Sequence, residues 1–175
     1  MRGANTFAVV GLVAVMLVGA LAPTASAAFE VRPQKVRLLF GGRSTGDEKV
    51  HFDANIVITS ETTTIDPAHE RLEICLTLGF EHSCGDAFYR VEILPGELSP
   101  THHGFALNHA GKERTGLEKF SIRTEVGSRL TFDDRRVTLP IADYSTTHVR
   151  LVIGDDDSGQ VPIPMVRVGN GWASN

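Results

Sequence analysis

The sequence predicts an all-β protein: an antiparallel β-sandwich of the Ig-like or Greek-key type, with about ten short strands, following an N-terminal signal peptide. Three observations carry this prediction. Apolar residues recur with period two through most of the chain after Gln34. Clusters rich in Gly, Pro, Asp and Ser punctuate these stretches at intervals of about 8–12 residues, and no long helical period runs through any of them. Side chains of a strand point alternately to its two faces, so a period of two marks a strand with one face on a core.

The N-terminus has the layout of an export signal. Arg2 is the only charge ahead of an uncharged apolar run of 16 residues, 7–22. A helix of that length is slightly short for a hydrocarbon core of about 30 Å, and Pro23 and then Ala25-Ser26-Ala27 follow it directly. Small side chains at Ala25 and Ala27 suit a signal peptidase and place the cut between Ala27 and Ala28. The absence of a basic stop-transfer cluster argues against an uncleaved anchor. Residues 1–27 are therefore read as signal peptide, 28–168 as a single β-sandwich domain, and 169–175 as a loose C-terminal tail. The 148 residues after the cut are enough for one hydrophobic core.

The strands are expected in the following order. The first, 36–40, runs into Gly41-Gly42, and the second, 50–58, alternates Val50, Phe52, Ala54, Ile56 and Ile58 with polar residues. Between them, Gly42-Arg43-Ser44-Thr45-Gly46 matches the Gly-x-Ser-x-Gly pattern of a nucleophile elbow. In a small secreted hydrolase Ser44 would attack and His51, His102, His103 or His109 would serve as its base. An elbow needs a strand before it and a helix after it; a second alternating stretch follows here, so a connecting turn is the simpler reading. Asp66-Pro67-Ala68-His69-Glu70 suggests one helical turn, with Asp66 capping and Pro67 in the first turn.

In the strand 72–78, Leu72, Ile74, Leu76 and Leu78 share one face, and Glu73, Cys75 and Thr77 the other. Cys75 and Cys84 are the only cysteines, and an even count in an exported chain favours a disulfide between them. Closing that loop is worth roughly 2.5–3 kcal/mol in the chain-entropy account. The competing metal reading, with His82 joining the two thiols, lacks a fourth ligand at a recognisable spacing.

The remaining strands are expected at 88–94, 104–108, 117–124, 130–132, 137–141, 148–153 and 161–168. Turns fall at Pro95-Gly96, Ser99-Pro100, Gly127-Ser128 and the charged run Asp133-Asp134-Arg135-Arg136. His102, His103 and His109 lie close in sequence, but adjacent residues of a strand face opposite ways, so His102 and His103 cannot ligate one metal without a kink. Asp155, Asp156 and Asp157 form the densest acidic group. They read either as the charged tip of a hairpin or as oxygen ligands to Ca²⁺, without the spacing or flanking helices of an EF-hand. Pro162 and Pro164 lack N–H donors and place their strand at a sheet edge.

The chain carries 17 basic and 21 acidic residues, the basic ones scattered along the chain. Nothing in that pattern suggests the basic stripe that nucleic acid binding requires, and it gives no sign of membrane insertion after signal cleavage. Phe80, Phe88, Tyr89 and Trp172 could form a sugar-binding platform or belong to the core.

The order of elements resembles a family of exported bacterial domains, often in tandem, of no assigned role. The matching segments are Val36-Arg37-Leu38, Ile65-Asp66-Pro67 ahead of Leu76-Thr77-Leu78-Gly79, Ile93-Leu94-Pro95-Gly96, and Val149-Arg150-Leu151-Val152-Ile153-Gly154-Asp155-Asp156. The resemblance implies a β-sandwich-like module without a known activity. The function expected is thus a secreted or periplasmic module that binds or packs against a protein or surface glycan, without catalysis or cofactor. A Ser44 hydrolase and a calcium-stabilised structural module are the alternatives.

Overall fold

The computed structural model describes residues 29–41, 46–59, 65–80, 83–107, 117–124 and 128–175. They form an all-β, wholly antiparallel architecture, as expected, with eleven strands: β1 (Phe29–Leu39), β2 (Glu48–Ile58), β3 (Leu72–Thr77), β4 (Tyr89–Ile93), β5 (Leu98–Thr101), β6 (Gly104–Leu107), β7 (Leu117–Arg123), β8 (Arg129–Val137), β9 (Thr146–Ile153), β10 (Asp156–Val168) and β11 (Gly171–Ser174). A 3₁₀ turn, Cys84–Asp86, precedes β4. The expected helical turn at Asp66 is also there, closed by the Glu70 amide on the Asp66 carbonyl at 3.0 Å.

The strands follow one hydrogen-bonded path, β4-β3-β9-β10-β11-β1-β2-β8-β7-β6-β5. Its two edges, β4 and β5, are consecutive in the chain and joined by residues 94–97, so the sheet comes close to closing on itself as a barrel does. Both edges are short, and β5 carries Pro100, features that discourage pairing with another chain.

The interior follows the alternation. Val36 and Leu38, Val50 and Phe52, Leu72 and Ile74, and Val149 and Leu151 all point inward and are buried. At the centre, the Phe132 ring of β8 stacks with Phe52 at 5.2 Å, Phe120 at 6.5 Å and Tyr89 of β4 at 5.9 Å. The Tyr89 hydroxyl donates to Asp134 of β8 at 2.7 Å. The β4 end of the path therefore folds over to meet β8 across the core.

Several sequence expectations need correction. Residues 171–174, read as part of a loose tail, form β11, which pairs with β1 on one side and β10 on the other. Ser99 and Pro100, read as a turn, lie in β5. The charged run Asp133 to Arg136 continues β8 because β2 and β7 pair with it on either side. Arg136 there has a left-handed φ of 62°, and it falls in the register shift between the pairs Lys49↔Arg135 and Glu48↔Val137, as the extra residue of a β-bulge. The strand expected at 137–141 stops at Val137.

Pro162 and Pro164 lie in β10, which is interior to the overall strand order rather than an edge. Over both prolines, however, β10 pairs with β9 alone, and its pairing with β11 begins only at Met165. The missing donors thus fall on a stretch paired on one side, which is the physical requirement behind the edge expectation.

Candidate functional site

Among the described residues, those singled out in the sequence do not converge on a catalytic or metal centre. Cys75 and Cys84 form a disulfide, their Cα atoms 5.6 Å apart, tying the 3₁₀ turn to β3. Glu73 lies beside them, and the three are the one group of metal-type ligands that converges among the described residues. With both thiols bonded to each other and Glu73 paired with Arg71 and Arg90, the group has no free thiolate to offer.

The acidic segment is the tip and start of the β9–β10 hairpin, whose two-residue loop is Gly154-Asp155. Asp157 is clamped by both guanidinium nitrogens of Arg150 and accepts the Gly159 amide at 2.9 Å. Burial alone would raise the Asp157 carboxyl, but these bonds hold it below the usual carboxylate range. It is therefore neutralised in place, and Asp155 and Asp156 do not gather with it into a ligand cluster.

His51 Nδ1 meets the Asp133 carboxylate at 2.7 Å on the outer sheet face. His102 and His103 occupy the exposed β5–β6 tip, their rings 4.5 Å apart. Ser44, His82, His109 and the cleavage pair Ala27 and Ala28 lie outside the described residues.

What the fold does build is an apolar groove of about 370 Å³ at the end of the sheet where β1, β10 and β11 meet, lined by Phe40, Ile141, Ala142, Arg167 and Trp172. Its construction follows from the seam between the first and last strands. The β10–β11 hairpin turns on Gly169-Asn170, with Gly169 at a φ of 57° that an L side chain rarely adopts. The turn is bonded to the end of β1 in both directions: the Phe40 amide donates to the Asn170 carbonyl at 3.1 Å, and the Asn170 side-chain amide donates to the Phe40 carbonyl at 2.6 Å. Register then sets Trp172 opposite Leu38 on one side and Arg167 on the other.

Tyr144 supports these rings from within. It is fully buried and makes ring contacts with Phe88 at 4.9 Å, Phe40 at 5.7 Å and Trp172 at 6.2 Å. Its hydroxyl donates to the Pro140 carbonyl, which fixes the loop that carries Ile141. Burial, with the nearby Glu48 charge, pushes the Tyr144 hydroxyl up to about 12, so it stays protonated and keeps donating. Ile141 stands fully exposed at the mouth of the groove, and the exposed Arg167 guanidinium closes no ion pair among the described residues.

The sequence reading overlooked this site because it took Trp172 for part of a loose tail. The signal was present: Gly169-Asn170 between two apolar-alternating segments is a two-residue hairpin turn.

A scan against family models and searches of characterised proteins and of solved structures found no match.

Proposed function

We propose that the chain is an exported, non-catalytic binding module, secreted or periplasmic. On this reading the folded sheet makes the two layers of a sandwich, with β10 as their shared corner, and a small ligand docks in the groove beside Trp172. The observation that carries the proposal is the groove: an apolar, aromatic-backed slot with one exposed guanidinium at its rim that closes no ion pair among the described residues. Its volume lies within the roughly 300–1,000 Å³ usual for small-molecule sites, which combine apolar walls with a few placed polar groups.

An unpaired guanidinium beside apolar walls favours an amphipathic acid, with an aliphatic or aromatic body against Phe40, Ile141 and Trp172 and a carboxylate on Arg167. Export is supported by the leader layout and by the disulfide, which persists in oxidising compartments. Among the described residues no helix is long and apolar enough to cross a membrane.

Trp172 is the only Trp in the chain, so its emission reports groove occupancy without a label. Titration with decanoate and 1-naphthoate is expected to give a saturable change in that emission. Arg167→Gln should weaken the acids about tenfold and leave the corresponding alcohols unaffected, a loss of about 1.4 kcal/mol, in the range of one charge-assisted bond. A flat emission signal with both acids up to millimolar concentration would overturn the reading.

A further inference from the structure

The outer face of the sheet over β1, β2, β8 and β7 has a charge opposite in sign to that of the chain. Residues alternating with the core positions point outward there: Lys35 and Arg37 on β1, Lys49, His51 and Asp53 on β2, and Arg129, Thr131, Asp133 and Arg135 on β8. Counted over these three strands, with the mutually paired Glu30 and Arg32 of β1 included, six cations face three carboxylates, with His51 neutral. On β7, Lys119 and Arg123 join against Glu118. The whole chain carries a net charge of −4, yet this one face holds four cations in excess.

Pairing sharpens the contrast. Asp53 is held by Arg129, Asp133 by His51 and Glu118 by Arg135. On the remaining sheet surface the arginines Arg71, Arg90 and Arg150 are likewise matched to carboxylates. Lys35, Arg37, Lys49 and Lys119 are exposed, and none of them closes an ion pair among the described residues, although Lys35 stands opposite Asp53 and its charge helps to lower that carboxyl.

The register places these four in one field. Arg37 sits opposite His51, His51 opposite Asp133 and Asp133 opposite Lys119, so one row crosses four strands; Lys49 and Arg135 share the next row. A shallow groove of about 210 Å³ runs between Lys35, Arg37, Lys49 and Arg135. Adjacent strands stand about 4.8 Å apart and alternate residues of one strand about 6.6 Å apart, so the free cations form a grid and not a point.

We propose that this face binds an extended acidic polysaccharide, whose carboxylate or sulfate groups take the counter-ion places left open at Lys35, Arg37, Lys49 and Lys119. Between the cations stand Asn55, Ser121 and Thr131, whose amide and hydroxyl groups suit sugar hydroxyls. No aromatic side chain projects from these outward positions. That separates the face from a protein hot spot, which is anchored by buried aromatic residues, and from a single-stranded nucleic acid platform, on which bases stack. The site is independent of the Trp172 groove and stands or falls apart from it.

The test is retention of the purified protein on immobilised polygalacturonate and dextran sulfate, with neutral dextran and single-stranded DNA as comparisons. Retention on the acidic polysaccharides, absent on neutral dextran and lost with rising salt, is the expected result. Arg37→Glu with Lys49→Glu should cut affinity for polygalacturonate at least tenfold, while the thermal midpoint stays unchanged because both are exposed and neither closes an ion pair among the described residues. Arg37→Lys should keep most of the affinity. Equal retention of the double variant and the parent, no salt-sensitive retention, or stronger retention on DNA than on polygalacturonate would each overturn the proposal.

Discussion

Asp134 and Asp53 occupy the same strand pair, are both buried, and respond to their surroundings in opposite directions. Asp134 faces the core, where burial raises its carboxyl above the usual range and the Tyr89 hydroxyl and Arg135 amide offset only part of the rise; its Oδ1 has no partner. A carboxyl raised on folding contributes most to stability at low pH and loses that contribution as pH climbs through its folded-state pKa. Asp53 is lowered, first by its hydrogen bond to Arg129, so its contribution is present above the unfolded-state pKa and is lost as pH falls through the folded one. Two isosteric variants should therefore differ in sign. Asp134→Asn keeps an acceptor for Tyr89 and removes the buried charge, so it is expected to raise the urea midpoint at pH 7 and to match the parent near about pH 3, where the raised Asp134 carboxyl is protonated. Asp53→Asn leaves an exposed Arg129 without its partner and should cost about 1 kcal/mol at pH 7, a cost that fades only as pH falls through the lowered folded-state pKa of Asp53. Urea midpoints of both variants across that range decide the matter; an Asp134→Asn variant that is less stable at pH 7 would mean that its charge is stabilising in the core.

At the scale of elements, β11 decides whether the sheet is continuous, because among the described residues it is the one strand hydrogen-bonded to both β10 and β1. Gly171 is the point of closest approach: a Cβ there would lie 2.1 Å from the Leu38 carbonyl oxygen. Gly171→Ala must push β1 and β11 apart, and a loss of about 2 kcal/mol or more in chemical denaturation is expected. Truncation after Val168 removes β11 and Trp172 together and leaves the facing edges of β1 and β10 unpaired, so the shortened chain should lose its cooperative thermal transition. A truncated chain that melted like the parent would show that residues 169–175 are the loose tail their composition suggests. Their case marks the boundary of what could be read from residues alone. The strands with clean alternation, β2, β3 and β9, were legible because one face is apolar throughout. β5 and β11, of four residues each, are too short to display a period, and Asp133 to Arg136 looks like a turn because its strand character comes from the pairing of β2 and β7 on either side. The disulfide was legible from the even cysteine count together with the expected compartment. The groove was not, since strand pairing brings Phe40 and Trp172 together and the loop held by Tyr144 adds Ile141, three segments distant in sequence.

For the molecule as a whole, the seam between β1 and β11 joins the first strand to the last, and both arms of the sheet extend from it. Contacts of such long sequence separation demand loop closure before they return any stabilisation, which places folding at the slow end of the millisecond-to-second range of all-β domains. The order of events can be read from two probes. Far-UV circular dichroism reports the sheet, and the emission of Trp172, the single Trp, reports docking of β11. If the β4 to β10 arm and the β1 to β5 arm were stable separately, the sheet signal would develop first and Trp172 would follow in a slower phase. Neither arm can cover its apolar face alone: Tyr89 of one stacks on Phe132 of the other, and Met165 and Ile163 of β10 bury in the same core as Val36 and Leu38 of β1. The two signals are therefore expected to recover with one rate constant on dilution from urea with the disulfide intact. The seven prolines that follow the expected cut after Ala27 should add only minor slow phases, common to both probes and accelerated by a prolyl isomerase. A Trp172 phase slower than the sheet signal and indifferent to the isomerase would mean that the seam closes on an arm already folded, and that β11 is an addition to the core rather than part of its formation.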